Sequence, residues 1–311
     1  MKRREFLISA AAAGVVAGTR SVWAQPPAGA KPSTLDRISI MTLNFQRMLK
    51  VPDVQDNPER TLELFDIAQM IADKYGVHKV EFQHYHIPST EPSYLKELRS
   101  RIEKSKSRMT QINLEFGALN MSAPQQRDRL MAIDLTKMWV DHAVMLGAQR
   151  VMINQGQPTQ DNKSYGIPTL KTMADFGRSK GIIVSVETRG GGGGRGRGAA
   201  TDAAAPPPPP PPPGPVVWAL LAEIIKGAGA YANVDVGGAN AANQEELHAC
   251  LKTMFPMTAG SMHTRVNTRW DLAAAIRFLE GELGYKGLYT IEASNGHEGT
   301  QQIFDVVVAT L

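Results

Sequence analysis

Four ionisable residues stand where a run of apolar or small residues gives out. Glu187 closes Ile182-Ile-Val-Ser-Val, Asp235 closes Tyr231-Ala-Asn-Val, His263 closes Gly260-Ser-Met, and Glu292 closes Leu288-Tyr-Thr-Ile. A charge at the end of a buried strand is costly unless it meets a partner or a metal ion. Three carboxylates and one imidazole suit a divalent cation such as Mn²⁺, Mg²⁺, Co²⁺ or Zn²⁺, and the oxygen-rich set tilts away from a thiolate-type site. Any one of the four is as readily a salt-bridge partner or a loop cap. Together they point to one metal held by Glu187, Asp235, His263 and Glu292, provided the fold brings the strand ends to a common place.

The rest of the chain supplies such a fold. From Arg37 onward two periods alternate. Residues 38–45, 79–87, 111–119, 150–154, 182–187, 231–236, 260–266 and 287–293 read as strands. Residues 58–75, 94–106, 125–146, 168–179, 216–226, 244–255, 272–283 and 301–311 carry helical spacing. Strand and helix repeated eight times imply a parallel sheet with helices outside. Eight units favour closure into an α/β (β/α)8 TIM barrel, whose catalytic residues lie at the C-terminal ends of strands. An open doubly wound sheet is the alternative, but no G-x-G-x-x-G follows the first strand.

The flanks and one interruption read differently. Residues 1–24 have the form of an export signal: a charged start with Arg3-Arg4, a short alanine-rich apolar stretch, and a small-x-small site ending at Ala24. The paired arginines resemble the twin-arginine signal. This predicts a periplasmic or secreted protein, exported already folded, with no stable membrane anchor after cleavage. Residues 25–36 are then a linker, and 37–311 the barrel. The formal charge of the 311-residue chain is +4, of which Lys2, Arg3, Arg4 and Arg20 against Glu5 carry +3. The remaining +1 gives no support to a nucleic-acid partner. Cys250 is the sole cysteine, so no intrachain disulfide forms. Residues 189–215 are a Gly/Pro-rich insertion: five glycines, an Arg-Gly-Arg-Gly stretch and eight prolines. Such a segment builds no core. It follows a strand's C-terminal end and so belongs to the barrel's active face, as a surface expansion or as a lid or docking arm.

The ordered set Glu187, Asp235, His263, Glu292 on strands five to eight resembles the sugar-phosphate isomerase/epimerase superfamily, the xylose isomerase-like TIM barrels. The resemblance covers about Arg37 to Leu311 apart from the insertion. It implies that the four bind one divalent metal and that Glu187 and Glu292 also move protons as acid and base. It further implies substrate contacts from Arg269, six residues after His263, and from Glu81 in Lys-Val-Glu-Phe of strand two. Two departures stand out. Gly238 occupies the position where the ketose 3-epimerases often carry histidine, and Thr188-Arg189 follows Glu187 where Asn-His is common. From the residues themselves, His84 and His86 alternate on one face at the end of strand two, and either suits the wall of a sugar pocket. Gln155 and Gln157, ending strand four, suit hydroxyl partners as well as ordinary surface-loop polarity.

A metal bridging a carbonyl and the neighbouring hydroxyl acts as a Lewis acid for an enediolate, and a carboxylate removes the proton next to the carbonyl. Return of the proton from the other face gives epimerisation, return to the adjacent carbon gives isomerisation, and loss of a β-leaving group gives a lyase. The expected function is therefore a metal-dependent isomerase, epimerase or related lyase acting on a small carbohydrate. A homo-oligomer is compatible with this. The alternatives are a non-catalytic carbohydrate-binding barrel and an abasic-site endonuclease-like hydrolase. The near-neutral mature charge opposes the latter.

Overall fold

The computed structural model describes residues 33–51, 58–116, 119–154, 156, 158–188, 216–239 and 241–311. The expected export signal, most of the linker, the Gly/Pro insertion, Gln155 and Gln157 lie outside the described residues. From Ser33 to Leu311 the described chain is one compact unit.

Eight strands close into a barrel in chain order: β1 (Ile38–Met41), β2 (Lys79–Gln83), β3 (Arg108–Leu114), β4 (Arg150–Ile153), β5 (Ile183–Glu187), β6 (Tyr231–Asp235), β7 (Thr258–Thr264) and β8 (Leu288–Ile291). Every neighbouring pair is parallel, and the seam between β1 and β8 is closed by Ile38 opposite Tyr289 and Ile40 opposite Ile291. The helices between and after them are α1 (Ile67–Tyr75), α2 (Pro92–Lys104), α3 (Gln126–Leu146), α4 (Lys163–Ser179), α5 (Val216–Ala228), α6 (Gln244–Met254), α7 (Leu272–Gly281) and α8 (Gly296–Thr310). The expected TIM barrel is therefore the fold. Its core lies between strands and helices, where Ile40, Val80, Ile112, Val151, Val186 and Val234 from the strands are fully buried. Among the described residues no helix is long and apolar enough to cross a membrane.

Several element ends differ from their reading in the sequence, and three of them have a clear local reason. The first strand stops at Met41, and Thr42–Phe45 turn into a 3-10 helix. There the buried Asn44 reaches across the seam. Its Oδ1 accepts from Ala293 N at 2.8 Å, and its Nδ2 donates to Ile291 O and to Thr300 Oγ1. The first helix begins at Ile67 rather than Pro58, because Leu62 pairs with Leu49 in an isolated parallel bridge. Lys50 N and Leu62 N bind Leu62 O and Met48 O there. The fourth helix begins at Lys163 and takes Pro168 inside it. Gly166 lets its first turns press on Ser122, since a Cβ there would meet Ser122 Oγ.

The end of the barrel opposite the four strand-end residues is held by a polar clamp. Arg37, just before β1, forms a bidentate pair with Glu280 of α7, at 2.6 and 2.9 Å. Tyr289 Oη and Lys286 Nζ also donate to Glu280, each at 2.8 Å. Burial opposes charge on Glu280, but the bonds from Arg37, Lys286 and Tyr289 outweigh it and hold the pKa down at about 2. The unfolded value is near 4.3. The stabilisation is therefore present above that value and is lost as the pH falls through it toward 2. We expect Glu280→Gln to lower stability by about 1–2 kcal/mol at neutral pH, a figure discounted for partial solvent access. Urea melts of both proteins should converge as the pH is lowered from 5 toward 2. A gap independent of pH would show that the clamp acts through packing alone.

Candidate metal centre

Register places the strand-end residues together. Asp235 of β6 stands opposite His263 of β7, and Thr264 stands opposite Ile291, the residue before Glu292. The β7–β8 ladder runs one step past the strand, with Glu292 N donating to Thr264 O at 2.9 Å. Asn44 fixes the next residue, Ala293, from the far side of the seam. Glu187 is the last residue of β5, and Thr188 continues the pairing by donating its N–H to Asn233 O.

Among the described residues, Glu187, His263 and Glu292 form the one group of ligand-type side chains whose donor atoms all lie within 4.8 Å of one another. His263 Nδ1 is 3.0 Å from Glu187 Oε1 and 3.5 Å from Glu292 Oε2. His263 Nε2 points the other way, 2.6 Å from Glu81 Oε1. The same Glu81 oxygen accepts from Asn113 Nδ2 at 2.7 Å, and Glu81 is wholly buried. Below His263, Gln111 Nε2 donates to Asn113 Oδ1 and Asn233 Oδ1. The barrel interior at this level is thus polar instead of the branched aliphatic filling usual in such folds.

These contacts set the charges. Burial disfavours a charged His263, but Glu81 and Glu187 outweigh it and raise its pKa well above the usual value. Each ring nitrogen of the imidazole therefore faces a carboxylate. Burial pushes Glu292 up to about 7, with Arg265 and His263 pulling the other way and Asp235 and Glu187 adding to the rise. A carboxyl tuned to near neutrality can both hold and release a proton at working pH.

The donor set fits a divalent metal. Two carboxylates and an imidazole nitrogen converge, and Glu292 Oε2 is buried without a hydrogen-bond partner. Glu81 behind His263 is the carboxylate that orients a metal-binding imidazole in many such sites and leaves the opposite nitrogen for the ion. Asp235 stands apart from the converging trio. Its Oδ2 is paired with Arg265 Nη2 at 2.6 Å, and its Oδ1 accepts from Gly238 N at 2.7 Å.

The remaining candidates do not join the converging trio. Glu81 sits behind His263 inside the barrel rather than in its opening. Arg269 lies on the loop after β7, stacks on Trp270 and reaches Asn267 Oδ1 and Ala239 O. His84 packs against Phe116 and Trp139, accepts from Glu115 N, and is pushed by burial down to about 4, so it is neutral. His86 is buried and bonds Thr42 Oγ1 through Nδ1. Sequence reasoning missed Arg265, Asn113, Gln111 and Asn44. Two of them were within reach of the alternation rule: Asn113 follows Gln111 by two residues on β3, so the pair shares a strand face.

No protein-family model matches the chain, and no curated protein matches it in sequence. Solved structures do share its fold. A xylose isomerase domain protein from Planctomyces limnophilus superposes with a TM-score of 0.62 at 14% identity, covering 88% of this chain and 96% of that one. The 3-keto-D-glucoside 4-epimerase of E. coli gives 0.61 at 11% identity, covering 88% and 98%. A probable 3-DHS dehydratase from Bacillus anthracis gives 0.58 at 11% identity, covering 88% and 97%. At these identities the likeness is one of fold.

Proposed function

We propose that this protein is a divalent-metal-dependent isomerase or epimerase of a sugar or keto-sugar, working by proton transfer next to a carbonyl. The observation that carries the reading is the convergence of Glu187, His263 and Glu292 at one end of the barrel, with Glu81 fixing the imidazole from behind. A bound divalent ion would supply a Lewis acid for the substrate carbonyl. Glu187 and Glu292, from β5 and the end of β8, are the two carboxylates placed to take and return the proton. The polar layer of Gln111, Asn113 and Asn233 keeps His263 and Glu81 in place without adding charge. An epimerase and a probable dehydratase among the fold neighbours are consistent with either fate of such an intermediate. The placement of two carboxylates about one centre favours proton return over loss of a leaving group.

The test pairs metal analysis of the purified protein with solvent-deuterium incorporation into a panel of unphosphorylated ketoses and keto-glycosides. Stoichiometric divalent metal together with deuterium at the carbon beside the carbonyl is the expected result. Metal without exchange in any substrate would favour a carbohydrate-binding barrel, and absence of metal would overturn the reading.

A further inference from the structure

Arg265 lies among the same carboxylates that the metal needs. Its Nη2 donates to Asp235 Oδ2 at 2.6 Å and its Nη1 to Glu292 Oε1 at 3.2 Å, so one side chain bridges the ends of β6 and β8. The loop after β6 is shaped to admit it. A Cβ on Gly237 would collide with Arg265 Cγ, and one on Gly238 with Arg265 Nη2 and Asp235 Oδ2. Neither glycine has a positive φ, so it is space and not backbone conformation that calls for them. The Arg265 side chain is 33% exposed while Asp235 is wholly buried, so the arginine side chain, unlike the carboxylate, reaches the surface along part of its length.

We infer that Arg265 is a resident counter-cation of the centre, which holds Asp235 and Glu292 and must release Asp235 when a divalent ion binds. The inference rests on the metal reading above. Both Asp235 oxygens are engaged, one by Gly238 N and one by Arg265, and a buried carboxylate stripped of its cation is strongly disfavoured. An ion drawing on all four strand ends therefore displaces the guanidinium, and the two cations repel while they share the site. Arg265 thus keeps the acidic cluster compatible with a folded, metal-free barrel and makes metal binding weaker and reversible.

The experiment titrates Mn²⁺ into metal-stripped full-length protein and follows binding by calorimetry. Arg265→Met, which keeps bulk and removes charge, should bind Mn²⁺ tenfold or more tightly than the wild type, and Arg265→Lys should stay close to the wild type. Equal or weaker binding by Arg265→Met, or Arg265→Lys as tight as Arg265→Met, overturns the inference while leaving the metal reading in place. No binding by any of the three removes both. If Arg265→Met does not fold without metal, the wild type carries the test through phenylglyoxal labelling read by peptide mass. Mn²⁺ should raise labelling at Arg265, and labelling that is unchanged or lowered overturns the displacement.

Discussion

Glu187→Gln and Glu292→Gln should each abolish solvent-deuterium exchange, a loss of about 10²–10⁴-fold or more, with the barrel still folded. The substitutions keep shape and replace a basic carboxylate by an amide that cannot take up a proton. They also remove a negative charge from a cluster that holds Glu81, Glu187, Asp235 and Glu292 around His263 and Arg265, so neither should unfold the protein. The two differ in what they leave behind. Glu187→Gln removes the carboxylate 3.0 Å from His263 Nδ1, which lowers the affinity of that imidazole for its proton. Glu292→Gln leaves that pair intact but gives Arg265 Nη1 a neutral amide oxygen in place of a carboxylate. Circular dichroism and thermal melts report the fold, and the exchange assay reports the chemistry. Either variant retaining full exchange would remove that glutamate from the reaction.

Glu81→Ala is expected to be among the most destabilising single changes in the protein, at about 3–5 kcal/mol in the metal-free state. It leaves a wholly buried His263 facing an empty space on its Nε2 side and strips Asn113 of its acceptor. Glu81→Gln should be milder for folding, because the amide oxygen can still accept. It should nevertheless weaken metal binding by about 10–100-fold, since the orienting carboxylate behind the imidazole is gone. Denaturant melts of the metal-free proteins and Mn²⁺ titration separate the two effects. Glu81→Ala melting like the wild type would show that the interior pairing of His263 contributes nothing to stability.

The barrel was legible because its signal is repeated eight times. Strand runs and amphipathic stretches alternate, and the structure keeps nearly all of them within a few residues. What escaped was decided by distant partners. Thr42–Phe45 look like more strand, yet Asn44 binds residues about 250 positions away, and no local pattern reports that. Leu62 fits a helical face, but its pairing with Leu49 draws it into an extended segment. At the centre, the ends of β5 to β8 were visible as apolar runs closed by an ionisable residue. Arg265 was hidden because a charged residue just past a strand reads as solvated. Only the distances to Asp235 and Glu292, and the two glycines that make room, reveal its position. Glu81 was visible as an acid in strand two, but its pairing with His263 Nε2, 182 positions away, was not.

The seam between β1 and β8 has a consequence in time. The edge of β1 that binds Ile38 to Tyr289 and Ile40 to Ile291 has no partner until the last strand has been synthesised. The same late segment carries Glu292, which Asn44 steadies across that seam through Ala293. Ring closure and completion of the acidic centre are thus one event, reached only with the whole chain in hand. A nascent or C-terminally truncated chain presents an open sheet edge, which invites misassociation. It also lacks Glu292, one of the three side chains that converge at the centre.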